Sequence, residues 1–558
     1  TEIYTLSLHD ALPIFLQYLY NSQIYNLKTW TMQTIKNRFR VPPLPVLLLL
    51  CVLFVFNTLH AQQTKITGDA KVLVKSGTWF TETGSATVDG SSVLDIAGNV
   101  TVGGQLSSAG SSNLLIRSST TEEGSLIFGS GTPNATFKRY VAPENKWHMV
   151  SIPITTGTTA ANFHFNFSPS TWLMGFNQST NAWSYITNLA ATQPYGAGYM
   201  FRATAPVTLS LTGSVSGSQF SPAVTYGGSG FYATGNPYTS AIKFDEGGST
   251  SWTMTNMEQS IWVLQHGASM AYLNRTAAGG GTLTDGIIPK GQGFLVKAIS
   301  ASPVLSIPVT AKLHHSQAFY KSGQNSMGSG YEQYMTIRVN PTQNWDEIMV
   351  SFGSNGSDDF DNGYDCSKLM GDENIPKLFM SESSVLQPLS INHLQLLDAE
   401  QSRTVELNFV PGQDGEQTFV AQTSKLTYRV TLEDKKLNKL HDLNTKGNYT
   451  FTASKADDPA RFKLHFMYNP LGNDEINTSN QILVYNVQKE VVISPRGINA
   501  DEKLQVQVFD LSGRLLYGSN LPSDMQSRIN LRHLPDAFVL VRVMSSNRVE
   551  TTRLMLRD

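Results

Sequence analysis

Between Thr64 and Gly131 apolar and polar residues alternate in short runs. Val93, Leu94 and Ile96, then Val100 and Val102, then Leu114 and Ile116 are separated by Gly, Asn, Asp and Ser turns. A period of two is the signature of half-buried strands. Each run is too short to bury much alone, so the segment 62–131 is expected to stack as a β-solenoid-like repeat. The persistent Val/Ile/Leu alternation argues against a flexible Gly/Ser linker. From 132 to 330 the runs lengthen into GYMFRA, SIWVLQ and GQGFLVKA, with Trp147, Trp172, Trp183, Trp252 and Trp262 among them. A further strand-rich region, 331–469, carries MTIRV, EIMVSF, TVELNF, TYRVTLED and RFKLHF. Helical periodicity is nearly absent, and both regions are expected to be β-sandwich-like domains. The polar stretch NPLGNDEINTSN places a linker at 470–480. Beyond it, 481–558 alternates through LQVQVFDLSGRLLY with Leu504, Val506 and Val508 inward, enough for a six- or seven-stranded immunoglobulin-like sandwich. The fold class expected is therefore all-β throughout.

Composition agrees. Of 558 residues only 15% are charged and 40% are apolar. Polar uncharged residues and 44 glycines fill the difference, as in exported β-rich proteins. At about 150 residues per domain the length allows three or four domains. A net charge of −2 gives no electrostatic footprint for nucleic acid or an anionic membrane.

The first sixty residues read as something other than fold. Lys36, Arg38 and Arg40 precede the apolar run Val46 to Phe56, and Ala61 follows as a small residue at a cleavage point. Residues 32–61 are thus expected to be a Sec signal peptide cut after Ala61. The run is about 16 Å long as a helix, short of a bilayer core of roughly 30 Å. No later stretch reaches eighteen apolar residues, so no transmembrane segment is expected in the mature chain. Leu50 before Cys51 does not suit lipoprotein processing. Residues 1–31 open with TEIYTLSLHDALPIF, which resembles an in-frame translation of a sequencing-library adapter, and are read as artefact followed by untranslated read-through. Removal of Cys51 would leave Cys366 alone, without an internal disulfide or a Cys-based zinc site.

The C-terminal unit resembles the sorting domain of proteins exported by the bacterial type IX secretion system. The carriers are VQVFDLSGRLLY (506–517), INLRHLPDAFVLVRV (529–543) and TTRLMLR (551–557), with Val506, Val508, Phe509, Asp510, Gly513, Arg514 and Leu515 at the centre of the match. An opening Asn-Pro pair is replaced by ILVYNVQKEVVIS, which places the unit closer to the type C than the type A variant. The resemblance implies Sec export, passage of the outer membrane through the dedicated machinery, and release or attachment to surface lipopolysaccharide. Segments such as KRYVAPENKWHMVSIPI (138–154) and IPKGQGFLVKA (288–298) resemble a recurrent region of large surface proteins that carry this domain, and no catalytic residue comes with that likeness.

Candidate chemistry is sparse. Gly267-Ala268-Ser269-Met270-Ala271 departs from the nucleophile elbow at its last position and lacks a strand–turn–helix setting. His314 and His315 are adjacent on an extended segment and face opposite ways, with His266 distant in sequence. Asp358, Asp359, Asp361 and Asp365 supply hard oxygens on a Gly/Asn-rich loop that could hold Ca²⁺, although a solvated Asx-type turn explains the same composition. Trp172, Trp183, Tyr185 and Tyr195 cluster between turns and could stack on sugars. No nucleotide loop, dinucleotide fingerprint or zincin motif occurs. The reading is a secreted or surface-anchored, non-enzymatic, adhesin-like structural protein; the alternative is a carbohydrate-binding or glycan-degrading one.

Overall fold

The computed structural model describes residues 63–557 apart from 143–144, 156–170, 189, 247, 266–270, 284, 317–330, 341–344, 372, 383–384, 399–400, 469–480, 488, 497–502, 524 and 546–548. The expected signal peptide with Ala61, the expected linker 470–480 and Gly267 to Met270 lie outside the described residues. Among those described, the regular elements are strands and two single-turn 3-10 segments, Val309–Ala311 and Pro459–Arg461. The chain is all-β, as its alternation predicts. No helix among the described residues is long and apolar enough to cross a membrane.

The N-terminal segment coils as a three-sided parallel stack. On one side Gln63–Ile66 pairs with Ser85–Val88, which pairs with the end of Asn99–Ser108. On the second Lys71–Val74 pairs with Val93–Ile96 and then Leu114–Ile116. On the third Trp79–Glu82 pairs with Asn99–Ser108 and then Ser125–Ser130. The register gives about 22 residues per coil, within the range of solenoid repeats. Val88, Leu94, Ile96, Val100, Val102, Leu114 and Ile116 fill the interior. The corners need glycine because coils touch there: a Cβ on Gly124 would lie 2.0 Å from the Ile96 carbonyl oxygen. The second ladder runs on past residue 131, through Asn134–Val141 in parallel and Val207–Ser214 antiparallel. The antiparallel strand closes an edge that would otherwise be open, and the solenoid core takes in Val150, Leu173 and Phe201 from the sheet that follows.

That next sheet orders Trp147–Ser151, Gly198–Ala203, Thr171–Asn177 and Ala182–Tyr185 antiparallel. A second one orders Phe231–Gly235, Gly293–Ala298, Met257–Gln265 and Ala271–Thr276. Single bridges, Val150 to Gln292 and Ala197 to Thr234, join the two.

Residues 333–467 form one eleven-stranded sheet rather than two separate leaves. The sheet rolls over so that distant strands face each other: the rings of Phe352 and Phe466 meet at 5.0 Å, and Phe419 and Phe462 also at 5.0 Å. A separate layer of buried side chains (Met200, Trp262, Leu264 and Leu295 with Met349, Cys366 and Ile391) joins this rolled sheet to the body before it. The C-terminal unit has seven strands in sheets of three and four, with its own core built on Leu504, Val506, Val508, Val539 and Val541.

Candidate functional site

Where the two body sheets meet the rolled sheet lies a cavity of about 450 Å³. Four indoles line it. Trp147 opens its strand, and Trp183 stands opposite Phe176 across a hairpin, rings 5.1 Å apart. Trp262, mid-strand and 1% exposed, sits against Phe231 edge-on at 4.9 Å. Trp345 precedes the strand Asp346–Gly353 and is covered by the Arg338 guanidinium at 4.3 Å. Met174, Met200, Tyr272 and Leu295 complete the apolar wall.

The polar side comes chiefly from the rolled sheet. Arg338 donates to Glu347 Oε2 through two nitrogens, at 2.9 and 2.8 Å. Lys368 Nζ donates to Asp346 Oδ1 at 2.5 Å, and the Leu378 amide donates to Asp346 Oδ2 at 2.7 Å. Among the described residues, two lining residues each carry a buried polar atom with no hydrogen-bond partner, Glu347 Oε1 and Trp262 Nε1. A buried group left so costs about 1–3 kcal/mol. Burial holds the Glu347 carboxyl above the ordinary carboxylate range and pushes the Tyr272 phenol up to about 12.

A buried polar seam fixes the two walls. Glu258 accepts from the Ser367 amide at 2.7 Å and from its hydroxyl at 2.6 Å, and Lys297 donates to the same hydroxyl at 2.7 Å. Asn274 donates to Ser390 Oγ at 2.8 Å.

The aspartate loop adjoins this seam. Asp358 is exposed and paired with Arg403, and Asp361 accepts from Ser357 Oγ at 3.0 Å. Asp359 is exposed. Asp365 is buried and accepts from the Asp361 and His393 amides at 2.8 and 2.6 Å. Among the described residues no group of three or more His, Cys, Asp and Glu side chains is placed to hold a metal ion. Asn362 ties the loop to the body, donating to the Met257 carbonyl at 3.0 Å and accepting from the Gln259 amide at 2.7 Å. Burial pushes the Asp365 carboxyl up to about 7 and the Cys366 thiol well above its usual value.

Of the four aromatics named as a sugar platform, Trp183 alone lines the cavity. Trp172 lies under Arg202 at 4.9 Å, Tyr195 packs edge-on against Phe220, and Tyr185 is exposed on an outer strand. Trp252 is buried. His314 clasps the solenoid, with Thr101 Oγ1 and Ser125 Oγ each 2.8 Å away, while His315 faces out. Trp147, Trp262 and the neighbours Trp345 and Glu347 escape sequence reasoning as a site because they come from three separate stretches of the chain.

In the C-terminal unit, Val506 and Val508 are core and Phe509 is half-buried. Asp510 closes the turn that follows: its side chain accepts from the Ser512 and Arg514 amides, both at 3.0 Å, and Gly513 takes φ 83°. Arg514 and Leu515 are exposed.

Fold and cavity together define an all-β scaffold protein with an aromatic-lined pocket at a junction of sheets. The chain belongs to the family described as a domain of unknown function (DUF8693), whose model matches residues 51–466. It is similar to the minor fimbrium subunit Mfa5 of Porphyromonas gingivalis, 26% identical over 360 residues, which are 59% of this chain and 27% of that protein. The chain thus spans about a quarter of that relative's length. Among solved structures it is similar to an immunoglobulin-like β-sandwich protein of the DUF3244 family from Bacteroides vulgatus, at 13% identity over 15% of this chain and 90% of that one, TM-score 0.13. It is also similar to a two-domain fibronectin type-III segment of chicken tenascin, at 9% identity over 26% and 94%, TM-score 0.12. Likeness of that degree decides nothing about function.

Proposed function

We propose that this chain is a cell-surface, adhesin-like structural protein that holds a ligand in the aromatic cavity and carries out no chemistry on it. Export runs through a Sec signal and type IX secretion, with the C-terminal sandwich as the sorting signal. The observation that carries the binding role is the cavity itself, walled by three sheets fixed together through buried hydrogen bonds, as a rigid binding scaffold requires. Similarity to a minor fimbrium subunit supports the surface setting. The separate core of residues 481–558 supports a self-contained handle that a receptor could read without disturbing the body. Deleting residues 481–558 and fractionating a type IX-competent host tests the export route. The truncated chain should accumulate in the periplasm while the parent is reached by surface protease. Surface display of the truncated chain would overturn the sorting role.

A further inference from the structure

We propose that the side chains of Lys297 and Gln387 join in an isopeptide bond that staples the second body sheet to the rolled sheet. Such a bond is a modification of the chain itself and does not depend on what the cavity holds. Lys297 lies on the body strand Gly293–Ala298, and Gln387 on Val385–Gln395 of the rolled sheet. The two side chains meet across the junction, with Nζ 2.5 Å from Gln387 Oε1. A carbonyl bond is about 1.2 Å long, so Nζ stands no more than about 3.7 Å from the carboxamide carbon, and about 3.3 Å from it at an approach of about 120° to the oxygen. An amine and an acyl carbon are poised to react at about 3–3.5 Å.

The groups around Nζ supply what the reaction needs. A lysine attacks only as the neutral amine, so its ammonium must first lose a proton. Lys297 donates to Ser367 Oγ at 2.7 Å, and Ser367 donates onward to Glu258 Oε2 at 2.6 Å, a relay from nitrogen to carboxylate. Glu258 and Ser367 are 0% and 1% exposed, Lys297 is 8% exposed, and the Phe231 ring centre lies 5.5 Å from Nζ. Burial disfavours the charged form of both the amine and the acid, and it holds the Glu258 carboxyl above the ordinary carboxylate range. It also keeps water from competing for the acyl carbon.

The step balances within this cluster. The Lys297 ammonium passes one proton through Ser367 to Glu258. The freed lone pair attacks Gln387 Cδ, and the Nζ–Cδ bond forms. A second Nζ proton moves to the amide nitrogen, the Cδ–Nε2 bond breaks, and ammonia leaves. The products are a secondary amide and a protonated Glu258, with no oxidant or cofactor consumed. The bond closes a loop of about 90 residues, from 297 to 387, and a cross-link over a loop that long strongly constrains the unfolded chain.

Mass spectrometry of the mature chain tests this. The joined chain should weigh about 17 Da less than its sequence, the mass of the ammonia lost. Cyclisation of an N-terminal Gln62 would lose the same mass, so a tryptic map decides. Trypsin should fail to cut after Lys297, and residues 291–312 should appear joined to 378–403. Lys297→Arg keeps the charge and should return the two stretches unjoined. Glu258→Gln keeps the shape but takes no proton, and should lower the joined fraction at least tenfold, with Glu258→Asp recovering part of it. Variants are compared as chains that melt cooperatively, so that a lost bond is not a lost fold. A parent chain whose map shows 291–297 and 378–403 as separate peptides overturns the proposal whatever the variants do. A joined fraction indifferent to Glu258→Gln overturns the relay.

Discussion

Glu258→Ala should be among the most damaging single substitutions that leave the hydrophobic cores intact. The carboxylate is fully buried on the strand Met257–Gln265 and reaches across to Ser367 of the rolled sheet, whose amide and hydroxyl donate to it at 2.7 and 2.6 Å. Lys297 Nζ stands 3.8 Å away. Hydrogen bonds to a charged group contribute about 1.5–3 kcal/mol each. Removing one member of a buried pair costs about 3–5 kcal/mol, because the Ser367 amide stays behind without an acceptor and the Lys297 ammonium without its countercharge. At roughly 2–4 °C per kcal/mol for a unit of 150–250 residues, the melting temperature should fall by roughly 6–20 °C. Differential scanning calorimetry of the mature chain reads it directly. Glu246→Ala is the control: Glu246 meets Lys243 at 3.4 Å on the surface with 65% of its side chain exposed, and its loss should stay within about 0.5 kcal/mol. Glu258→Gln keeps the shape and one acceptor, and should fall between the two. If Glu258→Ala costs no more than Glu246→Ala, the seam is not what fixes the two walls, and the rigidity argued for the cavity fails with it.

Two further outcomes follow from local geometry. Gly124→Ala puts a Cβ 2.0 Å from a backbone oxygen of the coil below, which has no flexible end to move aside, so calorimetry should show a loss of about 1–3 kcal/mol or more. Asp365, which burial pushes up to about 7 from 3.8, binds its proton more tightly in the fold than in the unfolded chain. The stabilisation this gives is complete below about pH 3.8 and is lost as pH rises through about 7. The parent's stability relative to Asp365→Asn should therefore fall between pH 4 and pH 8, and a difference flat in pH would contradict the assignment.

The solenoid was legible because its physics is local. A period of two marks the strand runs, and Gly, Asn and Asp mark corners where a coil turns, so Leu94, Ile96 and Ile116 could be placed in short strands before any pairing was known. The turn at Ser512-Gly513 was legible for the same reason, and the structure adds Asp510 as the residue that closes it. Where the coil ladder stops was not legible. Asn134–Val141 alternates like the coils before it and like the sandwich strands after it, and a strand's partners are written in no single segment. The rolled sheet shows this again. MTIRV and RFKLHF read as strands, yet only the ladder order reveals that Phe352 and Phe466, with other strands between them in the ladder, lie face to face.

The cavity was illegible for a deeper version of that reason, and the reason bears on how the protein works. Its wall takes Trp147, Trp183 and Trp262 from the body and Trp345 and Glu347 from the rolled sheet, so no window of sequence contains the site. The aspartate loop's composition suggests a ligand set, and the structure adds that its residues hold the junction: Asn362 grips Met257 and Gln259, and Asp365 orders the His393 backbone. A site assembled this way exists only while the junction is closed. Substitutions in the seam should therefore weaken binding without touching the cavity wall. The C-terminal sandwich, which has its own core and lies beyond the 51–466 match to the family, has none of its described residues in that wall. The proposed ligand recognition and the proposed export thus fall to parts of the chain that can be altered one at a time.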